Sequence, residues 1–202
     1  MLPRPLAALV ALAVIPGPAV LAQDVKTERP LRILVANDDG YQAPGLLALV
    51  DSLVTIGEVV VAAPLEQQSG TGHGITYREP ISVREVGNPH GVRWFVVDAK
   101  PASVVRLALT SLMDTLPDLV VAGVNTGENT GAHAWLSGTV AGAREAALHG
   151  LPAIAASVRI GASQDYAVAA GYTKRIIQQL KEAGAIRPPM LLNINVPTGG
   201  PD

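Results

Sequence analysis

Asn37-Asp38-Asp39-Gly40 sets two carboxylates side by side. Neighbouring carboxylates repel each other and are costly to desolvate, and a cation resolves that conflict. Taken alone the tetrapeptide also reads as a solvated turn, because Asp and Gly favour turns for local reasons. Three further polar stretches shift the balance: Ser69 among its glycines, Asn125 to Asn129, and Ser137-Gly138-Thr139. All the groups they offer are oxygen donors, and oxygen-only ligation points to Mg2+, Mn2+ or Ca2+ rather than a structural zinc. Ser137-Gly138-Thr139 opens a helical run, where exposed amides and the positive end of the helix dipole bind phosphate or another anion. Ser137 is equally an ordinary N-cap, and both roles can hold together. Gly123 to Gly131 has room for backbone amides to face a ligand, or is a flexible surface loop. His73 and His133 flank these loops, but a lone histidine is more often a structural hydrogen-bonder than a catalyst.

The elements that must position these groups are legible in the pattern. A strand over Arg32–Ala36 ends at the paired carboxylates, and a helix from about Pro44 to Ile56 follows, ended by Gly57. Strand Glu58–Ala63 leads into the long Ser69 loop. Two short alternating runs, Ile75–Tyr77 and Ile81–Val86, and the run Arg93–Val97 read as antiparallel strands or a β-excursion beside the main sheet. A helix over Pro101–Met113, a buried strand Asp118–Gly123, a loop Val124–Trp135 and a helix from Ser137 to Gly150 come next. Strand Ala153–Val158, helix Tyr166–Ala183 and strand Met190–Val196 close the series. Strands alternating with helices imply an α/β fold: a Rossmann-like, three-layer, doubly wound and mostly parallel sheet with a small antiparallel β-excursion. In such sheets ligands bind outside the carboxyl ends of the strands, which is where most of the polar stretches fall.

Composition narrows the chemistry. The chain has 202 residues, 49% hydrophobic but only 3% aromatic, so Ala, Val, Leu and Ile must build the core, as suits buried parallel strands. With no cysteine, disulfides, zinc–thiolate sites and cysteine nucleophiles are excluded. A net charge of −2 and the absence of a basic run give no footing for a nucleic-acid polymer. Strand 1 is not followed by a Gly-x-Gly-x-x-Gly, and neither a Gly-Lys-Ser/Thr phosphate loop nor a Gly-x-Ser-x-Gly elbow occurs. Adjacent Asp38-Asp39 is not the arrangement of a phosphatase with a nucleophilic Asp, though spacing leaves a covalent step open. At the N-terminus, Arg4, the apolar run Pro5–Ile15, the break Pro16-Gly17-Pro18 and the small residues of Val20-Leu21-Ala22 read as a secretory signal peptide over residues 1–22. The apolar run is too short to span a bilayer comfortably. Residues 23–30 are then a polar leader, and the expectation is an exported protein, periplasmic or secreted, with no membrane attachment after cleavage. Without cleavage it is cytoplasmic or anchored.

Four motifs in order carry a family resemblance. They are Leu34–Gly45, containing Asn37-Asp38-Asp39-Gly40; Ala63–Thr76, containing Ser69-Gly70-Thr71-Gly72-His73-Gly74; Pro117–Gly131, containing Gly123-Val124-Asn125-Thr126-Gly127; and Ser137-Gly138-Thr139-Val140-Ala141-Gly142-Ala143-Arg144-Glu145. Together they resemble the SurE survival-protein nucleotidases, over Leu31 to about Pro197. The resemblance implies a metal-dependent hydrolase of phosphoric monoesters that splits nucleoside monophosphates into nucleoside and phosphate. It implies one divalent metal ion per subunit, Mg2+ or Mn2+, held by Asp38, Asp39, Ser69 and Asn125. Asn129, Ser137, Gly138 and Thr139 line the phosphate site, with Asn37 beside it; Asp38, Asp39, Asn129 and Ser137 make up the catalytic set. Metal-activated water would drive the reaction. The alternative is a non-catalytic nucleotide- or phosphate-binding protein on the same fold. Leu136, Gly74, Ala99-Lys100-Pro101 and Ser103 stand where the family usually has Tyr, Ser, Gly-Thr-Pro and Asp; the metal set is whole, and the departures bear on substrate range. Family members generally continue past this C-terminus into a segment that helps form a dimer, so residues 31–202 are expected to be a nucleotidase domain short of its C-terminal part, with a weakened homodimer.

Overall fold

The computed structural model describes residues 29–160 and 165–197; the signal-like leader lies outside them. In chain order the elements are β1 (Leu31–Ala36), α1 (Pro44–Leu53), β2 (Gly57–Pro64), β3 (Val83–Glu85), β4 (Arg93–Val97), α2 (Pro101–Leu107), β5 (Leu119–Thr126), α3 (His133–Leu136), α4 (Gly138–Leu148), β6 (Ala153–Val158), α5 (Tyr166–Glu182) and β7 (Leu191–Val196). They build one seven-stranded sheet of order β3-β4-β2-β1-β5-β6-β7. Every pairing is parallel except β3 with β4. The doubly wound α/β reading is therefore right.

Side-chain alternation divides the core into two layers. Ile33 and Val35 of β1 pack with Leu46, Leu49 and Leu53 of α1 and Ile177 of α5. Leu34 and Ala36 face the other way, against Val104 and Val105 of α2 and Ala143 and Ala146 of α4. With both faces of β1 covered from Ile33 on, Ile33–Ala36 reads as an unbroken apolar run, and Arg32 stands at the half-buried start of the strand.

Four features differ from the sequence expectation. Arg93–Val97 is not part of an excursion: it joins the main sheet as β4, parallel to β2. Trp94, Phe95, Val96 and Val97 are all buried, so the run needs cover on both faces, which an outlying hairpin cannot supply. Of the expected excursion only β3 is a strand, exposed along its length, while Ile75–Tyr77 has no regular structure. α1 stops at Leu53 and Gly57 opens β2, pairing with Leu31. α2 is α-helical only to Leu107 and continues as one wider π-helical turn over Ala108–Leu112.

Between β1 and β5 the winding reverses. From β1 the chain moves outward to β2 and β4; after crossing to β5 it moves the other way, to β6 and β7. This is the topological switch point, where two neighbouring loops part and leave a crevice.

Candidate active site

The loop after β1 supplies Asn37, Asp38 and Asp39. Asn37 is buried, and its Nδ2 donates to the carbonyl of Gly40 at 2.8 Å, closing the turn. Gly40 takes φ +99°, a backbone conformation that L side chains rarely adopt. The other amide atom, Asn37 Oδ1, is buried with no hydrogen-bond partner among the described residues. Such an orphan acceptor is costly unless something donates to it.

Asp38 points into the first turn of α4. The Thr139 hydroxyl donates to Asp38 Oδ1 in a very short hydrogen bond. Gly138 lies so close that a Cβ built on it would sit 2.7 Å from Asp38 Cβ and 2.9 Å from Pro101 Cγ. Only glycine lets the helix end approach the carboxylate this closely. Ser137 caps the same helix: its Oγ accepts from the Val140 amide at 3.1 Å. Burial pushes the Asp38 carboxyl above its ordinary value, Thr139 opposes that, and the charge of Asp39 adds to the rise.

Asp39 is only half-buried and more loosely held. Its Oδ1 lies 3.5 Å from the Ser69 hydroxyl and its Oδ2 accepts from the Thr126 amide at 3.3 Å. Burial raises its pKa too, against the hydrogen bonds of Thr126, Ser69 and Gln67. Asp39 thus joins the loop after β2 to the end of β5.

β5 runs two residues past Val124, further than its apolar run, and carries one extra residue relative to β6 between Ala122 and Asn125. A bulge of this kind re-aims the side chains beyond it. Asn125 Nδ2 donates to the Gly127 carbonyl at 2.7 Å, which leaves its Oδ1 as an acceptor. Asn129 is held on three sides. Its amide donates to Asn195 Oδ1 at 2.7 Å, its carbonyl accepts from Asn193 Nδ2 at 2.7 Å, and its Nδ2 donates to Ser157 Oγ at 3.0 Å.

Asp38, Ser69, Asn125 and Asn129 line a common cleft of about 660 Å³, with Arg159 and His133 on its wall. Asp39, Asn37, Ser137, Gly138 and Thr139 stand around it without lining it. The expectation that these loops gather along one sheet edge holds. Asn193, Asn195 and Ser157 were not foreseen as support, although polar residues at alternate positions of a strand such as β7 are a usable signal. His73 is engaged at a distance from the cleft, its Nε2 2.7 Å from Glu145 of α4.

The donor set suits a hard divalent cation: two carboxylates whose ionised form is disfavoured where they stand, a hydroxyl, and a free amide oxygen. Among the described residues no three His, Asp or Glu side chains converge as a metal-binding group, so the carboxylate pair needs Ser69 and Asn125 to complete a site. Behind it, a helix N-terminus favours an anion.

Fold and site together define a Rossmann-like α/β protein with an acidic, oxygen-lined cleft at its switch point. The family model described as "Survival protein SurE" matches residues 33–202. A protein of Geobacter metallireducens named 5'-nucleotidase SurE is 42% identical over 168 residues, covering 83% of this chain and 65% of its own. One of Myxococcus xanthus with the same name is 41% identical over 174 residues, covering 86% and 64%. The crystal structure of the SurE protein from Aquifex aeolicus superposes with a TM-score of 0.74 at 34% identity, covering 83% of this chain and 66% of that one. The chain belongs to the SurE family. It spans slightly less than two thirds of the length of the first two relatives.

Proposed function

We propose that this protein is a metal-dependent phosphomonoesterase acting on nucleoside monophosphates, as the name shared by its relatives suggests. The observation that carries the reading is the meeting of Asp38 with the first turn of α4: a cation-seeking carboxylate and an anion-seeking helix end share one point.

Asp38, Asp39, Ser69 and Asn125 would hold a divalent cation, Mg2+ or Mn2+. Such a cation supplies Lewis acidity toward a phosphoryl oxygen and lowers the pKa of water. The chain's own residues do the rest. Thr139 orients Asp38 by its hydrogen bond, so one carboxylate oxygen is fixed and the other is left to the cleft. The positive end of the α4 dipole would favour negative charge on a phosphate, with Ser137 fixing the helix start. Asn129, pinned by Asn193, Asn195 and Ser157, presents its remaining amide valences without freedom to turn away. The cleft is large enough for a nucleoside as well as a phosphate. Export through the leader over residues 1–22 is part of the same proposal, and N-terminal sequencing of the mature protein should begin at Gln23.

The test is phosphate release from AMP, GMP and other nucleoside monophosphates with Mg2+ or Mn2+, before and after EDTA. Release that EDTA abolishes and added metal restores is expected. No metal-dependent release from any nucleotide of the panel overturns the enzyme reading.

A further inference from the structure

We infer that Glu145 is a positioning residue for the Ser69 side of the site, acting through His73; the inference rests on the metal-dependent reading above. Glu145 stands two turns into α4 and is wholly buried. A carboxylate there is expensive, and an apolar residue would pack as well. Its oxygens are both engaged: Oε1 accepts from Arg106 Nε of α2 at 2.7 Å and lies 3.3 Å from His149 Nε2, while Oε2 lies 2.7 Å from His73 Nε2. Burial opposes ionisation of Glu145, but the bonds from Arg106 and His73 prevail and hold its pKa below the ordinary value. An ionised carboxylate only accepts, so His73 Nε2 carries the hydrogen.

Arg106 and His149 belong to the helical layer. His73 belongs to the loop that carries Ser69. The Ser69 loop is tied to the turn after β1 by the Gln68 amide on the Asp38 carbonyl at 2.7 Å and to α3 by the Gly72 amide on the Leu136 carbonyl at 2.9 Å, while Ser69 itself is exposed, its contact with Asp39 is long, and His73–Glu145 supplies a side-chain link to α4. One helix therefore holds both sides of the cation site. Its first turn grips Asp38 through Thr139, and its second holds the Ser69 loop through Glu145 and His73. What the buried carboxylate adds over an apolar residue is a directed link between the two.

The experiment is calorimetric titration of Mn2+ into EDTA-treated, dialysed full chain, comparing wild type with Glu145→Gln, His73→Ala, Ser69→Ala and the double variant Glu145→Gln/Ser69→Ala. Each of the first two should weaken Mn2+ binding roughly tenfold, a coupling of the size seen between residues of one hydrogen-bond network. The double variant should bind no more weakly than Ser69→Ala alone, because the link acts only through Ser69. His73→Gln, which keeps a donor, should recover part of the loss. Wild-type affinity in both Glu145→Gln and His73→Ala, or a Glu145→Gln effect that adds fully to that of Ser69→Ala, overturns the inference while leaving the metal reading intact. Wild type that binds no Mn2+ overturns both. If Glu145→Gln does not fold, His73→Ala, a loop variant, decides alone.

Discussion

The two sides of the cleft are built to different tolerances. On the α4 side, Asp38 is buried, bonded to Thr139 and in contact with Gly138, and Ser137 caps the helix that brings them there. On the Ser69 side, Asp39 is half-buried, and its contacts are long: 3.3 Å to the Thr126 amide of β5 and 3.5 Å to the hydroxyl of the exposed Ser69. One side is finished by the protein. The other has acceptors to spare, although burial disfavours the charge on both carboxylates. Two adjacent residues of the same type thus take different parts: Asp38 anchors, and Asp39 is free to adjust when a ligand arrives. In the proposed cation site, the tight side would fix where the ion sits and the loose side would let it enter and leave.

That contrast can be broken most forcefully at Asp38. Asp38→Asn should lower metal-dependent phosphate release by about 10²–10³ or more, since it removes a charge aimed at the reacting group. In EDTA the same variant should melt at or above wild type, because burial and Asp39 both work against the Asp38 charge. Thermal melts with and without Mn2+ check this: wild type should gain stability from the metal and the variant should gain much less. A large loss of metal-free stability in Asp38→Asn would mean that the carboxylate is structural.

Gly138→Ala tests the tight side by crowding it. The added methyl would meet Asp38 Cβ and Pro101 Cγ below 3.0 Å. An overpacking cost of roughly 1–3 kcal/mol is expected in denaturant unfolding, together with reduced Mn2+ affinity as Asp38 is displaced. A variant of wild-type stability and affinity would show that the tight side has slack after all.

The smallest effects come from two helix caps. Ser137 caps α4 and Asp165 caps α5, accepting from the Val168 amide at 3.0 Å. Each alanine variant should cost about 1 kcal/mol of stability. Only Ser137→Ala should also slow phosphate release, and measuring both quantities in both variants separates a cap from a cap that fronts a site. Equal activity in the two would reduce Ser137 to a structural residue.

Local chemistry made much of this protein readable before any coordinates. The apolar runs announce β1, β5, β6 and the helices between them, because burial on both faces selects apolar residues at nearly every position. Asn37-Asp38-Asp39 and Ser137-Gly138-Thr139 are legible as a cation-seeking pair and a helix start because the physics involved, like-charge repulsion and capping, acts between near neighbours in the chain. The membership of β4 in the main sheet was not legible. Arg93–Val97 has the same pattern in a hairpin as in a parallel strand, and only the cover supplied by distant elements chooses between them.

The supporting bonds were hidden for a related reason. Thr139 meets Asp38 across 101 positions, Glu145 meets His73 across 72, and Asn193 meets Asn129 across 64. Sequence by itself determined which residues could act as donors, acceptors and charges. Strand order decided which of them meet: β5 lies between β1 and β6, and α4 packs on β5 and β6, so its first two turns reach residues from two loops. A hydrogen bond depends on a few tenths of an ångström between partners that no periodicity relates, so the assembly of the cleft belongs to the tertiary structure alone.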